Sequence, residues 1–235
     1  MCGIVVCPAK YLSEESRESI KRSLLKRGRD QFNSVVVGSY EVFHSRLHVF
    51  GELSSGVQPY VFNDVTIVFN GEIYNTDGNG ELDKIYKAYK DYGDRFANYL
   101  QGQYAIVIFD PNQHRILIAR DKYGQKPLFY HRAFKWIAST LDSHFDLFET
   151  TINNRAIQEF LVFGHRVKEP SFIEGVEELK PGYTVCFDSE MNLKGTYRNE
   201  YIYSHPIALE DRIESAVRNR IEGSQYHFAT LLSGG

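Results

Sequence analysis

Met1-Cys2-Gly3-Ile4-Val5-Val6-Cys7-Pro8 opens the chain, and residues 3–7 within it form an apolar, mostly β-branched run that Pro8 ends. That pattern reads as a short buried strand. A cysteine directly after an initiator methionine becomes the N-terminus once Met1 is removed. Thiol and α-amino group then share one residue, with reference pKa values of about 8.5 and about 7.7–8.0. The amine can take the thiol proton near neutral pH, so one residue serves as nucleophile and base. Cys2 equally reads as a small hydrophobe starting a strand, and the remaining sequence has to choose between the two.

Outward from that start, Ser13 is an N-cap candidate, and Ile20, Leu24 and Leu25 follow at helical spacing until Gly28. Strand-type runs come next at Ser34–Gly38, Tyr40–Val49 and Val65–Phe69, then a helix from Glu81 to Tyr92 ended by Gly93. A dense β stretch covers Tyr104–Phe109, Arg115–Arg120, Pro127–His131 and Lys135–Ala138, with a turn at Asp110-Pro111-Asn112. After Asn154 a helical pattern runs through Ile157, Phe160 and Leu161, and strands are expected at Thr184–Phe187 and Leu193–Tyr197. Tyr201–Pro206 reads as a connector, Ile207–Ile221 as a helix with Leu209, Ile213, Val217 and Ile221 on one face, and His227–Leu232 as a buried strand. Two β-rich blocks with intervening helices imply two sheets under helical layers, an α/β or α+β sandwich whose topology periodicity leaves open.

The bulk composition narrows the class. With 235 residues there is room for one large domain, or one domain and the start of another. A net charge of -3 implies no basic face, hence no nucleic-acid or membrane partner held by charge, and no apolar run is long enough to span a bilayer. Three cysteines, Cys2, Cys7 and Cys186, suit free thiols in a reducing cytoplasm. Cys7 and Cys186 read as buried fillers, and no Cys/His set has zinc-ligand spacing, so no metal is expected.

Six segments stand in order along the chain: Cys2-Gly3-Ile4, Arg27-Gly28-Arg29-Asp30, His44-Ser45-Arg46-Leu47, Asn70-Gly71-Glu72-Ile73-Tyr74-Asn75, Leu100-Gln101-Gly102-Gln103-Tyr104-Ala105 and Ala119-Arg120-Asp121-Lys122-Tyr123-Gly124-Gln125-Lys126-Pro127-Leu128. Together they resemble the glutaminase domain of class II glutamine amidotransferases, and most of all that of glutamine-hydrolysing asparagine synthetases. The resemblance covers nearly the whole chain. It implies an α+β fold, the four-layer αββα sandwich of N-terminal-nucleophile hydrolases, over residues 1–200. Residues 201–235 would be a connector and the first helix and strand of a truncated α/β ATP pyrophosphatase domain. It implies Cys2 as the nucleophile, with ammonia released from glutamine and no cofactor needed for that step.

The chemistry asks for particular partners. Attack on a carboxamide puts charge on its oxygen, which needs preorganised donors worth about 3–4 kcal/mol each. The Asn70 side-chain amide and the Gly71 N–H can supply two, and in the family these positions are the oxyanion hole. Asn-Gly after Val65–Phe69 also reads as a type I′ hairpin turn. Arg46 is the natural partner for the glutamine α-carboxylate, and the resemblance adds Leu47 and Val49 to that side of the pocket. Glu72 and a second acid should meet the α-ammonium. Counting back from Gly93 points to Glu81, in a Gly80-Glu81-Leu82-Asp83 stretch where the family typically has Ser-Asp-x-Glu, and Asp77 or Asp83 can substitute. Arg29 stands where the family usually has proline, which loosens that loop. His44 and His48 flank Arg46 and receive no catalytic role, the terminal amine being the base. Arg120-Asp121 and Lys126-Pro127-Leu128 read as structural, with a surface ion pair as the plain alternative.

Leu231-Leu232-Ser233-Gly234-Gly235 resembles the opening of the synthetase nucleotide loop, with Leu232, Ser233, Gly234 and Gly235 as its nucleotide-binding remnant. The helix N-terminus that would grip phosphate and the aspartate that would hold magnesium do not follow. The expectation is that ATP and Mg are used only where the missing synthetase part is supplied, by a second chain or in a homodimeric assembly. A split gene, an interrupting element and a fragment all remain open as explanations. Two other functions stay open as well: the glutaminase domain of another class II amidotransferase, and a non-catalytic interaction subunit.

Overall fold

A computed structural model describes residues 1–49, 56–76, 80–200 and 208–221, with His227 and Ala229. The described chain runs β1 (Gly3–Pro8), α1 (Glu14–Leu25), β2 (Gln31–Val37), β3 (Tyr40–Arg46), β4 (Tyr60–Phe62), β5 (Val65–Ile73) and α2 (Glu81–Tyr92). It continues through β6 (Gly102–Asp110), β7 (Arg115–Arg120), β8 (Phe129–His131), β9 (Trp136–Ala138), α3 (Asp142–Leu147) and α4 (Asn154–Phe163). The last elements are β10 (Glu177–Glu178), β11 (Tyr183–Asp188), β12 (Leu193–Arg198) and α5 (Leu209–Ile221).

Two six-stranded sheets result, in the orders β10-β8-β9-β1-β3-β2 and β12-β11-β7-β6-β5-β4. Period-two alternation decides which side each residue faces. Ile4 and Val6 of β1 join Val42, Val68, Val107, Ile118 and Ile137 in the core between the sheets. Val5 and Cys7 pack the other way, with Ile20 and Leu24 of α1, Phe43 and Trp136. The second sheet turns Ile67, Phe69, Ile106 and Leu117 outward onto Ile85 and Tyr89 of α2 and onto Phe96. Each fully buried aliphatic or aromatic side chain contributes about 1.5–3 kcal/mol, so these three clusters hold the layers together. The order helix, sheet, sheet, helix is the expected αββα sandwich.

Local signals placed most elements. The Ser13 side chain accepts from the Ser16 N–H, and Ser16 reciprocates at the Ser13 N–H, a capping box that starts α1. Gly93, at φ 54°, ends α2 as the sequence requires. The third strand stops at Arg46, short of Val49. Asn70-Gly71 is not a hairpin turn: β5 runs straight through it to Ile73, with Gly71 paired to Tyr104 of β6. The face of α4 expected to pack, with Phe160 and Leu161, is exposed, and only Ala156 of that helix is buried. The face of α5 with Leu209, Ile213, Val217 and Ile221 is likewise exposed. The connector Tyr201–Pro206, the body of the His227–Leu232 strand and the Leu232–Gly235 remnant lie outside the described residues.

Arg120-Asp121 is not a surface pair but a buried knot at the end of β7. Asp121 accepts from the backbone N–H groups of Tyr104 (3.2 Å), Tyr123 (3.0 Å), Gln125 (3.1 Å) and Lys126 (3.3 Å). Arg120 donates to the carbonyls of Gly124, Lys126 and Leu179 and to Glu178. The turn 121–126 is therefore fixed from both sides. Replacing Asp121 by Ala strands several N–H donors at once, each costing about 1–3 kcal/mol where buried. Asp121→Ala is expected to lower unfolding free energy by about 3 kcal/mol or more in urea denaturation. A loss below about 1 kcal/mol would contradict the knot.

Candidate active site

Cys2 sits immediately before β1, partly buried. Its carbonyl accepts from Arg27 Nε at 3.0 Å, and Ile4 N–H donates to Ser139 Oγ at 3.1 Å, so the strand entry is held on both sides. The Cys2 thiol points at the Leu47 carbonyl, 3.8 Å away, and burial pushes it above the ordinary thiol range. The Met1 amine donates to the Arg27 carbonyl at 3.2 Å and is held below the ordinary amine range, chiefly by burial. With Met1 in place, both shifts work against proton transfer from the thiol to this amine.

A cavity of about 240 Å³ opens beside Cys2, and Asn70, Gly71 and Glu72 of β5 line it. Asn70 is 1% exposed, yet its Nδ2 has no hydrogen-bond partner among the described residues. A buried donor left unpaired costs about 1–3 kcal/mol, and such groups are few in native proteins. Gly71 lies at φ 146°, and a Cβ there would stand 1.9 Å from the Gln103 carbonyl oxygen. Only glycine allows the strand to pass, which sets Asn70 and Glu72 on one face two residues apart.

Glu72 meets Glu81, the first residue of α2, whose Oε1 accepts from Ile73 N–H at 2.7 Å. Burial first, and then the Glu81 charge, hold Glu72 above the ordinary carboxyl range, while Lys126 and Arg46 work against that rise. Burial also raises Glu81, and the Ile73 N–H opposes it. The empty pair therefore retains a proton, with Glu81 as the ionised partner. Asp83 is turned away: it is exposed and accepts from Tyr60 Oη at 3.0 Å. Asp77 lies outside the described residues. Arg46 ends β3 and donates to Gln31 Oε1 at 3.4 Å, and it is not among the described residues that line the cavity. Leu47 and Val49 are on the wall itself.

The cavity gathers residues that the sequence did not single out. Tyr74 and Gln103 line it, Tyr74 by alternation from Asn70 and Glu72, and Gln103 by pairing opposite Glu72. Period-two counting and the strand register would have found both. Lys126, read as structural, also lines it, and so does Arg220 from α5, whose guanidinium lies 5.0 Å from the Tyr74 ring centre. No local pattern marks either cation. Among the described residues no group of three or more His, Cys, Asp and Glu side chains is placed to hold a metal, and no helix is long and apolar enough to cross a membrane. His44 is buried and held neutral down to about 3, mainly by desolvation.

A family model described as a glutamine amidotransferase domain matches residues 1–198. Among curated proteins, the glutamine-hydrolysing asparagine synthetase 3 of Bacillus subtilis is 25% identical over 100% of this chain and 44% of its own length. The amidase chry2 of Gibberella zeae is 30% identical over 76% of this chain and 29% of its own. The chain thus spans less than half the length of these relatives. Among solved structures, the glutamine phosphoribosylpyrophosphate amidotransferase of B. subtilis, complexed with ADP and GMP, superposes with a TM-score of 0.54 at 16% identity. That alignment covers 84% of this chain and 49% of the other, and at such identity it speaks to the fold alone.

The carboxyl pair has a measurable sign. A carboxyl whose folded pKa is raised binds its proton more tightly than in the unfolded chain, so it lowers stability as pH climbs through the raised range. Buried neutral histidines, His44 and His144, held to about 3 and about 4, titrate below it and act oppositely, so the comparison must be differential. Between about pH 6 and 8, ligand-free Glu81→Gln is expected to lose less stability than the parent in urea unfolding. Parallel pH profiles would contradict the shared proton.

Proposed function

The chain belongs to the glutamine amidotransferase domain family, in its class II branch, whose members take the amide nitrogen of glutamine, and on that premise we propose that Cys2, freed of Met1, is its nucleophile. The α-amine of Cys2 takes the thiol proton and the thiolate attacks the amide carbon of glutamine. The carbonyl electron pair moves to oxygen, where Asn70 Nδ2 and the Gly71 N–H receive the charge. Collapse breaks the C–N bond, and the ammonium returns its proton to the leaving nitrogen, so ammonia departs and a thioester remains. Water then adds with the amine again as base, the C–S bond breaks, and glutamate leaves with the thiol regenerated. Glutamine and water become glutamate and ammonia.

One observation carries this reading: the unpartnered Nδ2 of buried Asn70 on the wall of the cavity that Cys2 shares. A fold keeps such a donor unpaired where a ligand oxygen completes it. Glu72 and Glu81 take the substrate ammonium, displacing the proton they share, and Arg46 takes the α-carboxylate, drawn toward it by the pocket. As for the ammonia, asparagine synthetases align over the full chain, past the end of the amidotransferase match. That supports delivery to an ATP- and magnesium-dependent module making asparagine from aspartate, with Leu232-Ser233-Gly234-Gly235 as part of its nucleotide loop.

Cys2→Ala is expected to reduce glutamine hydrolysis to background with an unchanged circular dichroism spectrum. Asn70→Ala is expected to lower kcat by about 10²–10³, while unfolding free energy moves by less than about 1 kcal/mol, because its Nδ2 has no bond to lose. Turnover by Cys2→Ala, or by protein whose intact mass retains Met1, would sink the reading.

A further inference from the structure

Tyr74 and Arg220 line the Cys2 cavity, and neither has a part in the chemistry derived above. Tyr74 follows directly on β5, and its backbone is held firmly. Its N–H donates to the Gln101 carbonyl at 2.7 Å, and the Asn75 side chain bonds both the Tyr99 carbonyl (2.9 Å) and the Gln101 N–H (2.8 Å). The ring is another matter. A buried tyrosine is ordinarily oriented by a hydrogen bond at its hydroxyl. Tyr74 Oη is buried with no such partner among the described residues: the Gln103 side chain faces it, but outside hydrogen-bond geometry. The hydroxyl end therefore does not fix the ring.

A cation meets the ring instead. The Arg220 guanidinium carbon lies 5.0 Å from the Tyr74 ring centre, within cation–π range. Arg220 is steadied from its own helix, where Nη1 donates to the Ala216 carbonyl at 2.6 Å. The rest of α5 gives no reason for this contact, since none of its residues is buried and its apolar face is exposed. The helix also lies past residue 198, where the amidotransferase match ends, in a stretch along which asparagine synthetases still align. We infer that Arg220 is a positioning residue of the glutaminase site: laid across Tyr74, it holds that ring as a wall of the Cys2 cavity, so that a helix outside the amidotransferase match sets how tightly the pocket holds glutamine. The inference rests on the reading of this cavity as the glutamine pocket and deepens it.

Three roles for Arg220 are separable. A cation that positions the ring acts only through Tyr74, so its loss loosens the cavity for neutral and charged visitors alike. A cation that acts on the ligand by its own charge distinguishes anionic from neutral visitors and is indifferent to the ring. An arginine that merely steadies its helix changes neither the entry to the cavity nor the hold on glutamine. The contact is with the aromatic face, so the ring is what Arg220 needs and the hydroxyl is not.

The test uses the full chain and two probes: glutamine for turnover, and the neutral reagent iodoacetamide for access to Cys2, with the site of alkylation mapped by peptide mass. In Arg220→Ala and Arg220→Met, KM for glutamine and the rate of Cys2 alkylation are each expected to rise by about two- to fivefold, with kcat held. Arg220→Lys keeps a cation for the ring and should stay near the parent. Tyr74→Phe keeps the ring, loses only an unbonded hydroxyl, and should stay there too. In a Tyr74→Leu background, with folding checked by circular dichroism, Arg220→Ala should change neither quantity further. If Tyr74→Leu does not fold, Arg220→Lys and Tyr74→Phe decide, and a shift in either as large as that of Arg220→Ala counts against the ring. Arg220→Ala at parent values, slower reaction with anionic iodoacetate but unchanged reaction with iodoacetamide, or an effect that survives in full without the ring would overturn the inference while leaving Cys2 as nucleophile. A parent chain without glutamine hydrolysis, or active Cys2→Ala, would overturn the underlying reading and this inference with it.

Discussion

The close passage of β5 against β6 is the constraint from which the site follows. At Gly71 a Cβ would stand 1.9 Å from the Gln103 carbonyl oxygen, and at Gly102 one would stand 2.1 Å from the Glu72 carbonyl oxygen. Two glycines on paired strands let the backbones approach where any side chain would push them apart. The ladder stays in register through Asn70, Gly71 and Glu72 because of it. Alternation then delivers Asn70, Glu72 and Tyr74 to one side. Widening that approach would move the donor, the acid and the cavity wall together.

Burial shapes the electrostatics of this place in a consistent direction. It raises the Cys2 thiol, raises Glu72 and Glu81, and lowers the terminal amine. All four shifts disfavour isolated charge in a half-enclosed cavity. The ammonium of a zwitterionic ligand would bring the opposite charge to the two acids. The cations that relieve Glu72 come from two separate elements, Lys126 from the turn after β7 and Arg46 from β3.

Much of this was legible in the sequence, and the failures have physical reasons. Strand alternation and caps placed β1, α1, β5, α2 and β7 closely, because each carries its own local signal. Asn70-Gly71 was open to reading as a turn because Asn-Gly is a hairpin signature. A close backbone approach needs the same glycine, and only the partner strand tells the two apart. Arg120-Asp121 offered a surface pair as its plain reading because adjacent opposite charges usually are one. The backbone groups they bind, from Tyr104 to Leu179, are brought together only by the tertiary fold. Lys126 followed from that same knot and has no sequence signal at all. Glu81 against Asp83 was decided by helix geometry: at the first turn of α2 one acid reaches Ile73 and the other reaches Tyr60.

All of this converges on one sulfur atom beside one unpaired donor. The most direct measurement is labelling with a glutamine analogue that carries an electrophilic ketone in place of the amide, followed by intact-mass and peptide mapping. The account expects a single adduct, on Cys2 with a free α-amine, formed at a rate that glutamine suppresses and that Asn70→Ala slows. An adduct on Cys7 or Cys186, an adduct on Cys2 still bearing Met1, or labelling indifferent to glutamine would contradict it.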